Sequence, residues 1–170
     1  RRSGLCSDAA VLLLEHPPVY TRGRQGEARH LGAGPEALVA AGADFLAVDR
    51  GGSVTFHGPG QLVAYPVVLL ARIFPIPRHP AHGDVIQYLR ALEAGLIDTA
   101  AHYGVDVGRR PPYTGVWTGE KKLGAIGVKL ANGVTTHGVA LNVATDLAWF
   151  DHITPCGIDG AGVASLATLG

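Results

Sequence analysis

Residues 50–66, RGGSVTFHGPGQLVAYP, form the most informative stretch of the chain. Thr55 and Phe56 favour a strand that ends at His57, and the Gly-Pro-Gly that follows forces a turn. Residues 61–68 are largely apolar and predict a second strand. The local pattern therefore predicts a hairpin with a histidine at its tip.

Two adjacent glycines, Gly51 and Gly52, precede the first of these strands. Because they have no Cβ atom, their backbone amides can come close to a ligand. A histidine held on a rigid turn beside such a segment also indicates a binding site. These residues alone leave both interpretations open.

The composition indicates a single globular domain over residues 1–170. Hydrophobic residues make up 47% of the chain and charged residues 16%, and 14 basic residues balance 14 acidic ones. This balance argues against a nucleic-acid binder or a polybasic membrane anchor. The longest apolar runs are too short to cross a bilayer.

The two cysteines, Cys6 and Cys156, lie near opposite ends of the chain. Two such residues do not make a disulfide framework, which favours a reducing cytoplasm. No Cys or His spacing predicts a metal site. Because the chain contains no methionine, we expect a fragment or a processed product that lacks N-terminal residues of the full protein.

Strand patterns on both sides of one long helix predict an α+β fold. Asp84 is placed to cap this helix, whose apolar residues recur at steps of three and four until Gly104. Three prolines predict a loop over residues 72–82. The C-terminal third predicts a β-meander with an Asn132-Gly133 hairpin turn.

Cys156 and Lys122 are candidate reactive residues. A nucleophilic cysteine needs a nearby base or positive charge. Candidates for that group are His57, His137, Lys121, Lys122 and Lys129. Taken alone, however, a single cysteine is more often a small buried hydrophobe, and Lys122 is as well explained as a solvated lysine at a strand end.

Together, these motifs resemble the lipoyl(octanoyl) transferases, the octanoyl transferases of lipoate biosynthesis. The matching segments follow the family's order and cover nearly the whole chain: LLLEHPPVYTRGR (12–24), RGGSVTFHGPGQLVAYP (50–66), GVW (115–117), KLGAIGVKL (122–130), THGVALNVATDL (136–147) and ITPCGI (153–158). Residues 1–10 do not follow the family's pattern, and Cys6 matches no functional position. The resemblance implies the fold of the biotin and lipoate protein ligase catalytic domains.

The resemblance also implies a reaction, the first step of endogenous protein lipoylation. An octanoyl group moves from octanoyl-acyl carrier protein to a lysine of a lipoyl domain, in 2-oxoacid dehydrogenases or the glycine cleavage H protein. The residue matching Cys156 becomes an octanoyl thioester, and the lysine matching Lys122 favours its thiolate and acts as a base. No cofactor, metal, nucleic acid or membrane is implied, and the location is cytoplasmic.

An acyl-chain pocket follows from the same resemblance. Its lining residues match Arg50, Gly51, Gly52, Ser53, Val54, Thr55, Phe56, His57, Ala125, Ile126, Gly127, His137, Gly138, Val139 and Ala140. We expect the glycines at 51, 52, 127 and 138 to leave a narrow channel for an unbranched chain. Backbone amides, or the imidazoles of His57 and His137, are candidates for stabilising the tetrahedral oxyanion.

Two alternatives are compatible with the same fold. An ATP-dependent lipoate protein ligase forms an acyl-adenylate and has no need of Cys156. A catalytically idle module that only binds lipoyl domains needs neither Cys156 nor Lys122. The PCG turn and the HGPGQ run favour the transferase.

Overall fold

The computed structural model describes residues 9–170, apart from the side chain of Pro80. The predictions made for residues 1–8, including Cys6, lie outside the described residues. Within them, a large mixed sheet, a smaller sheet and one long helix confirm the predicted α+β fold.

The elements are numbered along the chain. The strands are β1 (Ala9–Leu14), β2 (Val19–Arg22), β3 (Asp44–Ala47), β4 (Val54–His57), β5 (Gln61–Val68), β6 (Pro75–Ile76), β7 (His79–Gly83), β8 (Gly108–Arg110), β9 (Tyr113–Thr118), β10 (Lys121–Ala131), β11 (Val134–Asn142) and β12 (Gly162–Val163). The helices are α1 (Pro35–Ala40), α2 (Leu70–Ile73), α3 (Val85–His102) and α4 (Leu166–Leu169), with 3₁₀ helices at Ala28–Leu31, Leu147–His152 and Pro155–Gly157.

The larger sheet has seven strands in the order β1-β5-β11-β10-β9-β8, with β12 pairing with β10 beside this path. Neighbours along the path are antiparallel, whereas the short β12 runs parallel to β10. The predicted Asn132-Gly133 turn joins β10 to β11, and both residues have the positive φ that such a turn requires. The predicted C-terminal meander is confirmed.

The smaller sheet has the order β3-β2-β4, and strands β2 and β4 are almost entirely buried. Tyr20 and Phe56 are fully buried at its centre and pack with Leu38, Phe150 and Ile153. This cluster fixes the small sheet against the 3₁₀ helix that precedes the Cys156 turn.

The hairpin predicted around His57 is wrong. Strands β4 and β5 belong to different sheets, so the Gly-Pro-Gly segment carries the chain from the small sheet to the large one. The carbonyl oxygen of Gly60 accepts hydrogen bonds from the N–H groups of Val143 (3.1 Å) and Ala144 (2.9 Å) and from Thr145 Oγ1 (3.1 Å). Each strand has partners of its own, and the turn is bound to the residues that follow β11.

The loop predicted over residues 72–82 is also incorrect in part. A short antiparallel ribbon, β6 and β7, occupies most of this segment. A two-stranded ribbon consists of edges only, and an edge position tolerates the missing N–H of proline. The prolines therefore do not exclude strand structure here.

Helix α3 confirms the predicted long helix and its cap, since Asp84 Oδ1 accepts a hydrogen bond from the N–H of Gln87 (2.9 Å). The buried face of this helix also contains a charged residue, which the apolar periodicity of the sequence does not predict. Glu93 is fully buried and accepts hydrogen bonds from Arg90 (2.6 Å), Arg109 (2.8 Å) and the backbone N–H of Gly115 (3.2 Å). This carboxylate fastens the helix to the start of β9.

We expect Glu93→Ala to lower the free energy of unfolding by about 2 kcal/mol, because the buried N–H of Gly115 loses its partner. The two arginines are partly exposed and can return to water, which limits the loss. Urea denaturation measures the difference. Glu120→Ala is the control, because the side chain of Glu120 is 81% exposed in its pair with Arg110, and we expect it to change stability by less than about 0.5 kcal/mol. Equal losses in the two variants would contradict the role given to Glu93.

Candidate active site

A cavity of about 580 Å³ is lined by strands of both sheets and by the turn that contains Cys156. It brings together residues far apart in sequence, and these include all the predicted site residues except Phe56. They are Lys122, Cys156, residues 50–55 and 57, residues 125–127 and residues 137–140. Its volume falls in the usual range for a small-molecule site.

Phe56 is the predicted lining residue that lies elsewhere. Side chains alternate along a strand, so Thr55 and His57 line the cavity while the Phe56 ring enters the core on the opposite face. There the ring stacks on Trp149, with centroids 5.1 Å apart. Phe56 supports the small sheet and does not line the pocket.

Cys156 lies in the 3₁₀ turn Pro155–Gly157 and is half-buried. Its backbone has φ +58°, a left-handed conformation that is unfavourable for a residue with a Cβ atom. Neighbouring contacts hold the turn, since the Thr154 N–H donates to the carbonyl of His30 (2.9 Å) and the Gly157 N–H donates to the carbonyl of Thr154 (2.9 Å). Strained residues held in this way are concentrated at functional sites.

Lys122 lies on β10 and is only 7% exposed. Its Nζ lies 4.6 Å from the centroid of the Trp117 ring, a cation–π contact. A Cβ atom at Gly115 would lie 3.5 Å from Lys122 Cε and 2.5 Å from the carbonyl oxygen of Gly124. Glycine at position 115 therefore makes room for both β10 and the lysine.

Arg50 is the second buried cation on the cavity wall. Its Nη2 donates to the carbonyl oxygen and to Oγ1 of Thr21 (2.8 Å each), and its Nη1 donates to the carbonyl of Gly51 (2.9 Å). Burial lowers the pKa of Arg50, and negative charge at Cys156 opposes that shift. The guanidinium is thus held by these hydrogen bonds on the wall of the cavity that Cys156 also lines.

The cavity wall contains basic side chains but, among the described residues, no acidic ones. Arg50, Lys122, three histidines and a cysteine contribute to its wall, and no described aspartate or glutamate does. None of the salt bridges among residues 9–170 includes Arg50 or Lys122. Since buried charges are normally paired, this cavity favours an anion such as a thiolate or an oxyanion.

Known proteins match this chain along almost its whole length. The family model described as the lipoyl protein ligase A/B catalytic domain matches residues 2–170. The octanoyltransferase of Solibacter usitatus is 49% identical over 170 residues, which cover 100% of this chain and 73% of that protein. The octanoyltransferase of Rubrobacter xylanophilus is 52% identical over 168 residues, which cover 98% of this chain and 71% of that protein.

The chain belongs to the octanoyltransferase family. The family and the class of enzyme, an acyltransferase, are therefore as predicted.

Solved structures of lipoate protein ligases share the fold of this family member. Lipoate-protein ligase A bound with ATP has a TM-score of 0.69 and 17% identity, and the match covers 94% of this chain and 64% of that one. A bipartite lipoate protein ligase from Thermoplasma acidophilum has a TM-score of 0.67 and 16% identity, and the match covers 92% of this chain and 62% of that one. At such identities the likeness shows the fold alone.

The glycines of the family motifs serve backbone packing. The Gly51 N–H donates to the carbonyl of Val128 (2.9 Å), which joins the segment before β4 to β10. A Cβ atom at Gly127 would lie 3.0 Å from the carbonyl oxygen of Gly51 and 3.0 Å from Cδ of Arg50. At Gly138 a Cβ atom would lie 2.7 Å from Cδ of Pro66. These glycines allow close contact between the segments that form the cavity wall, and the acyl-chain channel expected from them stays a prediction.

His137 lies at the rim of the cavity with a positive φ of 57° within β11. Its Nε2 is 3.5 Å from Oδ1 of Asp49, whose other oxygen is paired with Lys129. The hydrogen bond from Lys129 is the main cause that lowers the pKa of Asp49, and His137 adds to it. In this cluster Asp49 is exposed, and His137 lies on the wall of the same cavity as Arg50 and Lys122.

Two residues near the Cys156 turn were missed in the sequence. His30 Nδ1 contacts Ser53 Oγ (2.8 Å) and accepts a hydrogen bond from the N–H of Glu27 (3.2 Å), and its ring lies against Gly157. Gln61 is buried beside His57. The HGPGQ run contained the signal for Gln61, whereas no local pattern links His30 to a turn more than a hundred residues away.

Within the part of the chain that the structure describes, no group of three or more His, Cys, Asp or Glu side chains is arranged to hold a metal ion. No helix in that part is long and apolar enough to span a bilayer.

Gly157→Ala tests whether contact with His30 and Ser53 positions the Cys156 turn. A Cβ atom at residue 157 would lie 2.9 Å from His30 Cε1 and 3.0 Å from Ser53 Oγ. Gly160→Ala is a matched control, because Gly160 also has a positive φ but a Cβ atom there would meet no other atom within 4 Å. We expect Gly157→Ala to be less stable than Gly160→Ala by about 1 kcal/mol, the low end of the cost of overpacking, and to lose more octanoyl transfer. Equal stability and activity would show that the contact does not matter.

Proposed function

We propose that this chain transfers an octanoyl group from octanoyl-acyl carrier protein to a lysine ε-amine of a lipoyl domain, through a thioester on Cys156. The observation that carries the proposal is the cavity wall, which combines one thiol with two buried cations and no described carboxylate. That combination stabilises a thiolate and then the tetrahedral oxyanion.

In the first half-reaction, the Cys156 thiolate attacks the carbonyl carbon of the donor thioester. A new S–C bond forms, the C–S bond to the carrier breaks, and the carrier thiolate takes a proton from the Lys122 ammonium. One thioester replaces another, so the exchange is nearly isoenergetic and needs no ATP. Arg50 and Lys122 are the cations available to the oxyanion that forms between these two states.

In the second half-reaction, the neutral Lys122 amine takes a proton from the incoming lysine ammonium. The freed amine attacks the acyl-enzyme, and an amide forms as Cys156 leaves as a thiolate. The second proton of the former ammonium passes to solvent. A single base beside the cysteine thus serves both steps.

The acceptors in this proposal are the lipoyl domains of 2-oxoacid dehydrogenases and the glycine cleavage H protein. We place the reaction in the cytoplasm, because the mechanism needs Cys156 as a free thiol and a reducing compartment keeps it so.

Intact protein mass after mixing with octanoyl-acyl carrier protein, without ATP, tests the proposal. We expect an octanoyl adduct that maps to Cys156 and disappears when an unmodified lipoyl domain is added. Cys156→Ser removes the adduct and the transfer, whereas Cys6→Ser keeps both. Lipoyl-domain modification that requires ATP and free octanoate would favour the ligase, and lipoyl-domain binding without any modification would favour the idle module.

Lys122→Arg separates the positive charge from the base. Arginine keeps a cation but does not give up its proton, so we expect lipoyl-domain modification to fall by a factor of about 100 or more. Adduct formation on Cys156 should fall less, because arginine keeps the cation in the cavity and the carrier thiolate can take its proton from solvent instead. Rapid-quench measurement of each half-reaction gives the two rates. Full turnover in this variant would assign the base to another residue.

A further inference from the structure

His57 is the last residue of β4, is 9% exposed and lines the cavity. Its Nδ1 lies 2.7 Å from Oε1 of Gln61, across the Gly-Pro-Gly turn. None of the hydrogen bonds formed among the described residues involves its Nε2. One ring nitrogen is therefore held by the protein while the other is available to a ligand.

The hydrogen bonds of Gln61 and Asn142 determine which ring nitrogen of His57 carries the hydrogen. Asn142 Nδ2 donates to the carbonyl of Ala164 (3.0 Å), so Asn142 Oδ1 is left to accept. Gln61 Nε2 donates to that oxygen (2.9 Å) and to the carbonyl of Phe56 (3.2 Å), so Gln61 Oε1 is also an acceptor. Because a backbone carbonyl can only accept, the direction of the whole chain is fixed. His57 Nδ1 is therefore the donor, and a neutral ring then has no hydrogen on Nε2.

The ring stays neutral in this environment. Burial lowers the pKa of His57 to about 4, against the hydrogen bond to Gln61, and the charges of Arg50, His16 and His137 lower it further. The imidazole of His57 is thus a hydrogen-bond acceptor at its cavity side. It does not donate to an oxyanion, which corrects one of the roles considered for it from the sequence.

We propose that Nε2 of His57 accepts an N–H hydrogen bond from the attacking lysine amine of the acceptor domain. This hydrogen bond orients the lone pair of the amine toward the acyl-enzyme. The inference rests on the proposed function and adds a residue to its second half-reaction. A neutral amine has N–H hydrogens that need acceptors while its lone pair forms the new bond. Once Lys122 has taken the proton of the incoming ammonium, Lys122 and Arg50 are both charged and can only donate hydrogen bonds, so neither can accept an N–H of the attacking amine.

The first half-reaction gives His57 no such role. Its nucleophile is a thiolate, which has no hydrogen to donate. A ring with so low a pKa is also too weak a base to keep a proton from an ammonium, so the proton still passes to Lys122. His57 therefore orients the amine, and we expect its substitution to slow mainly the second half-reaction.

His57→Asn tests this separation, because the shorter amide can still donate to Gln61 but has no atom at the place of Nε2. Because His57 also lines the cavity, we expect some slowing of adduct formation on Cys156 with octanoyl-acyl carrier protein, but at least tenfold less than the slowing of the transfer that follows. With a lipoyl domain added to the preformed adduct, we expect the transfer rate to fall at least thirtyfold. His102→Asn, at the exposed end of α3, is the control and should change neither rate. Equal slowing of both half-reactions, or of neither, would overturn the proposal.

A measurement on the unsubstituted protein keeps the inference testable if the variant does not fold. ¹⁵N NMR of the labelled imidazole should show a hydrogen on Nδ1 and none on Nε2 at pH 7, unchanged at pH 5.5. A hydrogen on Nε2 would overturn the proposal. Failure of the proposed function is distinct from either result, since it would appear as the absence of any Cys156 adduct in the unsubstituted protein.

Discussion

The carbonyl oxygen of Gly60 is the point on which the arrangement of the site depends. It accepts hydrogen bonds from residues 143–145, directly after β11, and so holds the Gly-Pro-Gly turn where the chain passes from the small sheet to the large one. Gly60 has a φ of +79°, and a Cβ atom there would lie 2.6 Å from the carbonyl oxygen of Ala144. The turn is therefore fixed by its backbone, and this brings His57 and Gln61 together and the small sheet to the cavity wall.

The buried charges of the resulting cavity lower the stability of the fold but suit the chemistry proposed for the site. Arg50 and Lys122 are buried cations, and the only compensation visible for them among the described residues consists of neutral partners: the oxygens of Thr21 and Gly51 for one, the Trp117 ring for the other. Burying charge without an opposite charge lowers stability. In the proposed reaction, the same unneutralised charge stabilises a thiolate and a developing oxyanion. The core clusters and the Glu93 network supply stability elsewhere.

Local signals in the sequence predicted the elements, and nonlocal pairing decided the rest. The Asp84 cap and the Asn132-Gly133 turn are formed by neighbours in the chain, and both are as predicted. Strand β4 pairs with β2, where His57 lies opposite Val19. No local pattern predicts a pairing between residues so far apart in the sequence. The burial of Glu93 likewise depends on Arg109 and on Gly115. Strand alternation, by contrast, was available in the sequence and separates Phe56 from Thr55 and His57.

Positive charge alone does not distinguish a transferase from a ligase on this fold. An acyl-adenylate is also an anion, and buried cations would suit it equally well. What separates the two chemistries is the thiol, because an adenylate-forming enzyme has no need of one. Here the thiol lies in a left-handed turn that is held by His30 and Thr154 and faces the same cavity as Lys122. A strained backbone at a cysteine persists only where its surroundings enforce it. The strained turn places Cys156 on the cavity wall, as the proposed acyl-enzyme requires. The chain is also about half identical to octanoyltransferases, whereas it shares only the fold with the ligases.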